Sequence, residues 1–506
     1  MARRLQQAAF PLLILFGIIL LAILGYRDLP GRPFAADDFQ WLLNVRMLSF
    51  REVVGRAFDA DAESHFYRPL IWLAFWMQWR LFGSDAGSYH MVSLVLHIAN
   101  ALLAGGLVYR LAAAGSPGAN PRFWPWAGVL AGTMIMALHP APFEAVVWVS
   151  AQSELLAALF LLGAAHFWLC TGPSCYRPAA RRFRVAAATV ALGLACLSKE
   201  SAVVGLPLLV LLEWETARIA QRRPAVALLA LPALITVAYL AAALSVASRN
   251  YLVRSDGYGI GAQLVLNPLR SLGLLVAPLP GVENGEAPWL PILGAFLAIA
   301  WLVALMVGLW RGRPVARQAS GLLALLVTLL PVAPFASPPD SRYLYLPVLM
   351  IALYVGRWAA GAVRVVVAPG TPGQVPHSGS NHAPAPGRRL AIGVAGVAVA
   401  LLLIVPAVLE IQGREARFAA GARPGEELRR LAAQQCAAGQ LNRMLIVEPP
   451  IAAAHAEAIV RLTCGARPRP IVVARHEIED QLRTNTLVVV FEGGVPRVVL
   501  RTPPPE

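Results

Sequence analysis

Residues 1–41 read MARRLQQAAFPLLILFGIILLAILGYRDLPGRPFAADDFQW, and their order decides the fold. Two arginines precede an apolar run over 8–25, and the adjacent acids Asp37 and Asp38 follow it closely. A hydrocarbon layer of about 30 Å takes roughly 20 apolar residues in helical form. The run therefore reads as a span. It lacks a small-residue cleavage site, so it is expected to stay as an anchor with a cytoplasmic N-terminus.

Runs of the same kind recur at 89–109, 125–138, 147–169, 185–198, 201–214, 224–246, 289–309, 319–335, 343–360 and 390–408. A chain that is 58% hydrophobic and 14% charged holds more apolar side chains than a soluble core uses. The expected fold is an all-α polytopic membrane protein of about 11 transmembrane helices. The loops that this topology places in the cytoplasm (1–8, 110–123, 171–184, 215–223, 311–318 and 357–389) hold 18 arginines against one acid, Glu215. That bias sets the orientation and explains much of the net charge of +15 with no need for nucleic acid. Residues 263–280 are apolar enough to cross, but a crossing there would invert every later loop. Asn267-Pro268 and Pro278-Leu279-Pro280 favour a segment that dips and returns.

Three parts lie outside the membrane. The first extracytoplasmic loop, 26–88, mixes charge with Trp41, Phe58, Tyr67, Trp72, Trp76 and Trp79, as helices lying along the outer surface with rings at the membrane interface would. Residues 362–389 are rich in proline and glycine and read as a flexible cytoplasmic linker between a transmembrane catalytic domain, 1–361, and a last span. From 409 to 506 the composition is that of a small α/β domain on the extracytoplasmic side, with a charged helical stretch through 426–430 and strand-like runs at 443–448, 470–474 and 486–491. Cys436 and Cys464 fall in this tail, while Cys170, Cys175 and Cys196 lie in or near membrane segments. Spacing alone leaves the tail pair open between a disulfide and two buried thiols.

Chemistry is sought among polar residues that a bilayer would otherwise exclude. Asp37 and Asp38 form an adjacent carboxylate pair, which either raises one pKa or starts the helix that follows as an N-cap. His139 and Glu144 share a short outer loop, in a pattern that fits hydrogen bonding better than a metal site. Lys199, the chain's single lysine, stands beside Glu200 at an outer junction, as either a chemical group or a snorkelling ion pair. Arg342 opens the run Arg342-Tyr343-Leu344-Tyr345-Leu346-Pro347, and its guanidinium suits a phosphate or an interface anchor. Tyr67-Arg68-Pro69-Leu70 and His90 complete the set, with His97 and Asn100 about two turns deeper as interhelical hydrogen-bonding groups. All of these lie on the outer face under one topology.

In this order the acidic pair, the Tyr67–Leu70 segment, His97 with Asn100, the His139–Glu144 loop, Lys199-Glu200 and Arg342-Tyr343-Leu344-Tyr345-Leu346-Pro347 resemble the membrane half of the TMTC-type and PMT-type protein O-mannosyltransferases, members of the GT-C superfamily. The resemblance covers roughly residues 8–361. It implies a GT-C-like fold and an inverting transfer from a polyprenyl-phosphate-linked sugar to an extracytoplasmic hydroxyl of a protein, envelope glycan or lipid. It also implies Asp38 as general base with Asp37 as helper, Arg342 and Lys199 on the donor phosphate, and Arg68, His90, His139, Glu144, Glu200 and Tyr345 in support of the cleft. No cofactor is required by these residues, although a divalent cation is compatible with the acids. The expected setting is a bacterial inner membrane, with the tail periplasmic. The chain departs from TMTC-type enzymes in having no 34-residue helical repeat, which leaves the acceptor open. The rival readings are an envelope polysaccharide polymerase or ligase, a non-enzymatic transporter and a tail-borne binding module; the internal repeats and midplane charges of a transporter are not found.

Overall fold

The computed structural model describes residues 2–59, 66–114, 124–169, 177–247, 257–280, 282, 287–311, 316–367, 386–439 and 441–503. Most of the linker expected at 362–389, together with Cys170 and Cys175, lies outside the described residues.

Helix α1 (Ala2–Gly25) leads into three helices of the first loop, α2 (Asp38–Val45), α3 (Phe50–Phe58) and α4 (Pro69–Phe82). The membrane part continues with α5 (Ala86–Ala114), α6 (Trp124–Leu138), a short α7 (Phe143–Val147), α8 (Gln152–Trp168), α9 (Pro178–Ser198), α10 (Gly205–Ile219) and α11 (Ala230–Ala247). It ends with α12 (Gln263–Val276), α13 (Leu290–Trp310), α14 (Ala316–Leu329), α15 (Tyr345–Val367) and α16 (Pro386–Ala437). Each run expected to cross is helical. Among the described residues six helices are long and apolar enough to cross a membrane, and three further apolar helices are shorter. Exposed Ile292, Phe296, Leu302 and Met306 on α13 have no protein partner to cover them and mark a lipid-facing surface.

The face carrying the first loop is termed the loop face, and the opposite end of the helices the arginine face. Helix α12 is tied by hydrogen bonds at both ends. Asn267 near its start donates to the Phe335 carbonyl at 2.7 Å, and the Leu275 carbonyl near its end accepts from His139 Nε2 at 2.8 Å. Both partners belong to the loop face.

Helices α6 and α15 pack closely, because small residues let the backbones meet. A Cβ placed on Gly128 would sit 2.5 Å from the Gly356 carbonyl oxygen, and one on Gly132 would sit 2.8 Å from that of Ala352. Behind this contact His97, Asn100 and Tyr345 form a closed network. The Tyr345 hydroxyl lies 2.8 Å from His97 Nδ1 and accepts from Asn100 Nδ2 at 3.1 Å, while His97 Nε2 reaches the Ala137 carbonyl at 3.1 Å and Asn100 also donates to that of Leu155 at 2.9 Å. The Tyr345 hydroxyl thus donates to Nδ1, and His97 carries its proton on Nε2.

The tail differs from the sequence expectation in two ways. Helix α16 runs 52 residues without a break, so the boundary at 409 falls inside it, and Glu410–Arg414 and Glu426–Arg430 pairs at i,i+4 spacing support its polar half. The sheet has four strands in the order β2-β1-β3-β4, from β1 (Arg443–Val447), β2 (Arg469–Val473), β3 (Thr486–Glu492) and β4 (Val495–Arg501), with helix α17 (Ala453–Cys464) between the first two. β1 pairs parallel with both β2 and β3, and β4 closes an antiparallel hairpin. Gly493 and Gly494 turn that hairpin with φ of +59° and +81°, a geometry that glycine adopts without strain. Cys436 and Cys464 are joined in a disulfide that ties α16 to α17.

The first loop and the tail share one core, in which Phe39, Leu42 and Phe75 pack with Leu428, Met444, Ile459 and Leu487. This corrects the reading of the loop aromatics as a membrane-interface belt. Trp72 is buried, and Trp41 stacks on Phe75 with centroids 5.3 Å apart and meets Trp72 edge-on at 5.4 Å, so the loop helices cover one another's rings. Arg46 donates to the Arg461 carbonyl at 2.8 Å and locks the end of α17 onto α2.

The glycine contact supplies a direct test. Replacing Gly128 by Leu is expected to cost about 1–3 kcal/mol or more through overpacking, read as a lower melting temperature and folded yield in detergent. Gly17→Leu, at a position with no neighbour within 4 Å, is expected to leave both unchanged.

A candidate active site on the loop face

The aspartate pair is split by burial. Asp38 is fully enclosed at the start of α2 and accepts three hydrogen bonds, from Ala35 N at 2.9 Å, Ser150 N at 2.7 Å and Ser150 Oγ at 2.5 Å. It joins the first loop to the 149–151 turn that precedes α8. Asp37 turns the other way, with its side chain 46% exposed and one oxygen 2.8 Å from His455 Nε2 on α17. Neither carboxylate caps α2 as an N-cap, since Asp37 makes no such bond and Asp38 reaches back to Ala35. Ala36 between them holds a left-handed φ of +46°, a costly conformation for a residue with a Cβ.

Next to this pair lies a cluster built on the Tyr343 ring. Lys199 Nζ sits 4.6 Å from the ring centroid and the Arg342 guanidinium 4.9 Å, so two cations from distant segments share one aromatic face system. Arg342 also stacks 4.8 Å from the Trp148 ring, and Trp148 Nε1 donates to the Ala35 carbonyl at 3.3 Å, which connects the cluster to the aspartate turn. Arg342 pairs with Glu144 at 2.6 Å and with Asp340 at 2.6 Å. Glu144 accepts further from Ser341 Oγ and from Arg342 N. Burial raises its pKa, and the Arg342 charge opposes that rise.

Lys199 is enclosed against Glu154, with side chains only 2% and 3% exposed. It does not pair with Glu200, its neighbour in the chain. Glu200 instead receives a two-pronged bond from Arg68, Nε at 2.7 Å and Nη2 at 2.6 Å, and that guanidinium lies over the Phe66 ring.

The structure therefore brings Arg342, Glu144, Lys199, Arg68 and Glu200 to one face beside Asp37 and Asp38. It withholds three residues expected in the cleft. Tyr345 is closed into the interhelical network, and His90 is buried with Nε2 3.4 Å from the Pro33 carbonyl. His139 uses both ring nitrogens, one at the Leu275 carbonyl and one accepting from Ala141 N at 3.2 Å. Glu154, Ser150 and His455 were not singled out from the sequence. Glu154 carried a signal, an acid inside an otherwise apolar run, whereas the other two gave none. Among the described residues no group of three or more His, Cys, Asp or Glu side chains is arranged to hold a metal ion.

No protein-family model matches the chain. A curated protein O-mannosyl-transferase of Caenorhabditis elegans is 24% identical over 156 residues, which covers 29% of this chain and 21% of that protein. Among solved structures, the Archaeoglobus fulgidus oligosaccharyltransferase is 12% identical with a TM-score of 0.48, covering 92% of this chain and 64% of that one. ArnT from Cupriavidus metallidurans is 19% identical with a TM-score of 0.47, covering 96% and 93%. The chain thus spans less than two thirds of the length of the first-matched relatives. The resemblance to protein O-mannosyltransferases carried by the motifs is met again in the curated sequence comparison.

Burial pushes the Asp38 carboxyl from near 3.8 up to about 7, against the pull of its three donors. The folded state then holds a proton that the unfolded chain releases, so the contribution of Asp38 to stability is complete below about pH 4 and is lost as pH rises through about 7. Asp38→Asn, which fixes the neutral form, is expected to gain melting temperature relative to wild type between pH 4 and 7 and to run parallel above that. Parallel curves throughout would contradict the burial argument.

Proposed function

We propose that the loop-face site is that of a GT-C-type glycosyltransferase, which moves a sugar from a polyprenyl-phosphate donor to an acceptor hydroxyl on a protein or on an envelope glycan or lipid. The observation that carries this reading is the pairing of Lys199 and Arg342 on the Tyr343 ring, tied through Trp148 to the Asp37-Asp38 turn. The sequence likeness to a protein O-mannosyl-transferase supports it. The ArnT structure solved with undecaprenyl phosphate names a donor-type lipid to try first.

In this reading the two aspartates exchange the roles that the family resemblance implies for them. An acceptor hydroxyl has no path to the enclosed Asp38, whereas Asp37 is open to solvent and held by His455. Asp37 takes the proton of the hydroxyl as its oxygen attacks the anomeric carbon. The bond from that carbon to the phosphate oxygen breaks, and its electron pair leaves with the phosphate, inverting the sugar. Asp38 fixes the turn that presents Asp37. Arg342 stabilises the leaving phosphate, with the enclosed Lys199 adding positive charge from behind the Tyr343 ring, and Asp340, 40% exposed, is the partner of Arg342 most readily exchanged for a phosphate oxygen.

We further propose about eleven crossings in a bacterial inner membrane, with the loop face periplasmic. The disulfide in the tail supports an oxidising compartment on that side, and the arginine count of the opposite loops supports the same orientation.

The test is transfer from a panel of radiolabelled polyprenyl-phosphate sugars by membranes with matched amounts of folded protein. One donor is expected to be consumed by wild type. Asp37→Asn is expected to lower turnover by about 10²–10⁴-fold, and Arg342→Ala by about 10²–10³-fold. Full activity in Asp37→Asn would remove Asp37 as the base, and consumption of no donor would remove the glycosyltransferase reading.

A further inference from the structure

The opposite end of the helices carries a second charged site. Helix α8 ends at Trp168, α9 begins at Pro178 and α10 brings in Glu213, so three helix ends converge there. Between them is an open pocket of about 280 Å³, lined by Arg181, Arg184, Arg222 and Arg223 and by the apolar Phe167, Val185 and Leu228.

Glu213 is the one acid in the lining, and its own neighbours saturate it. It accepts from Arg222 at 2.6 and 3.3 Å, from Ala225 N at 2.7 Å and from Trp168 Nε1 at 3.2 Å. Arg222 is thereby neutralised. Arg184 spends Nε and Nη2 on the Phe167 and Trp168 carbonyls, both at 3.0 Å, and those partners bring no net charge. Among the described residues no carboxylate lies within ion-pair distance of Arg181, Arg184 or Arg223. Three cations therefore face one pocket without a carboxylate partner, which leaves their N–H groups free to hold an anion from outside the chain.

The rim says where that anion comes from. Phe183 is 68% exposed and Trp214 64%, and Phe167 and Val226 are exposed as well, so the pocket opens beside apolar surface of the kind that meets lipid. A ligand that satisfies both parts has a phosphate for the arginine forks and an apolar tail for Phe167 and Leu228.

We propose that this pocket binds the phosphate of an anionic glycerophospholipid headgroup, on the membrane face opposite the acid site. It holds the α8, α9 and α10 ends together through the lipid. The proposal does not depend on the transferase reading.

The probe is phosphatidylglycerol, titrated onto the delipidated full-length protein in a neutral detergent and counted by native mass spectrometry. Arg181→Gln with Arg223→Gln removes two exposed pocket cations, and Arg182→Gln with Arg311→Gln removes the same charge from exposed positions outside the pocket. The first pair is expected to weaken binding by about tenfold or more while the second leaves it unchanged. Equal affinity in the wild type and the first pair overturns the site, as does equal loss in both pairs, which would reduce the effect to general surface charge. Displacement of the lipid by millimolar inorganic phosphate overturns the lipid source and leaves a soluble phosphate as the ligand.

Discussion

The ion pair between Lys199 and Glu154 is the contact on which the loop face depends. Both side chains are almost wholly enclosed between α8 and α9, where a lone charge would cost several kcal/mol to hold. Each makes the other tolerable, and together they fix where Tyr343 lies, because Lys199 rests on its ring. Arg342 then takes the remaining aromatic surface between Tyr343 and Trp148. A membrane protein that brings cations together in this way must supply carboxylates from other elements, and the structure does so with Glu144, Glu154 and Glu200 from three separate segments.

The second organising feature is the core shared by the first loop and the tail. It places α17 against α2, so that Asp37 meets His455 across 418 residues of sequence. The proposed base thus stands where the membrane part and the tail join. An acceptor approaching Asp37 encounters α17 as well as the cleft, which gives the tail a direct position in the site.

Much of the helical plan was legible because apolar runs have few other uses at this length. The placement of Arg342, Lys199, Arg68 and Glu144 on one face followed from counting arginines in loops. What stayed hidden depended on distant contacts. The enclosure of Asp38 involves Ser150, which carries no sequence signal, and the aromatic residues Trp41 and Trp72 look membrane-facing but pack on Phe75 and on each other in a core that the tail shares. Tyr345 and His139 resemble site residues in type, but their polar atoms are used up by interhelical partners. Strand β4 was missed although Gly493-Gly494 marks its hairpin, since Arg497 and Pro496 dilute the alternation that a strand usually shows.

In the proposed reaction Arg342, backed by the enclosed charge of Lys199, receives a lipid phosphate beside Asp37. The most direct measurement is the position of the phosphorus atom in a structure determined with a polyprenyl phosphate bound. Phosphate oxygens are expected within hydrogen-bond distance of Arg342, with the Asp37 carboxylate facing the carbon side of the ester. A phosphate found only at the arginine face, with Arg342 still held by Glu144 and Asp340, would contradict it.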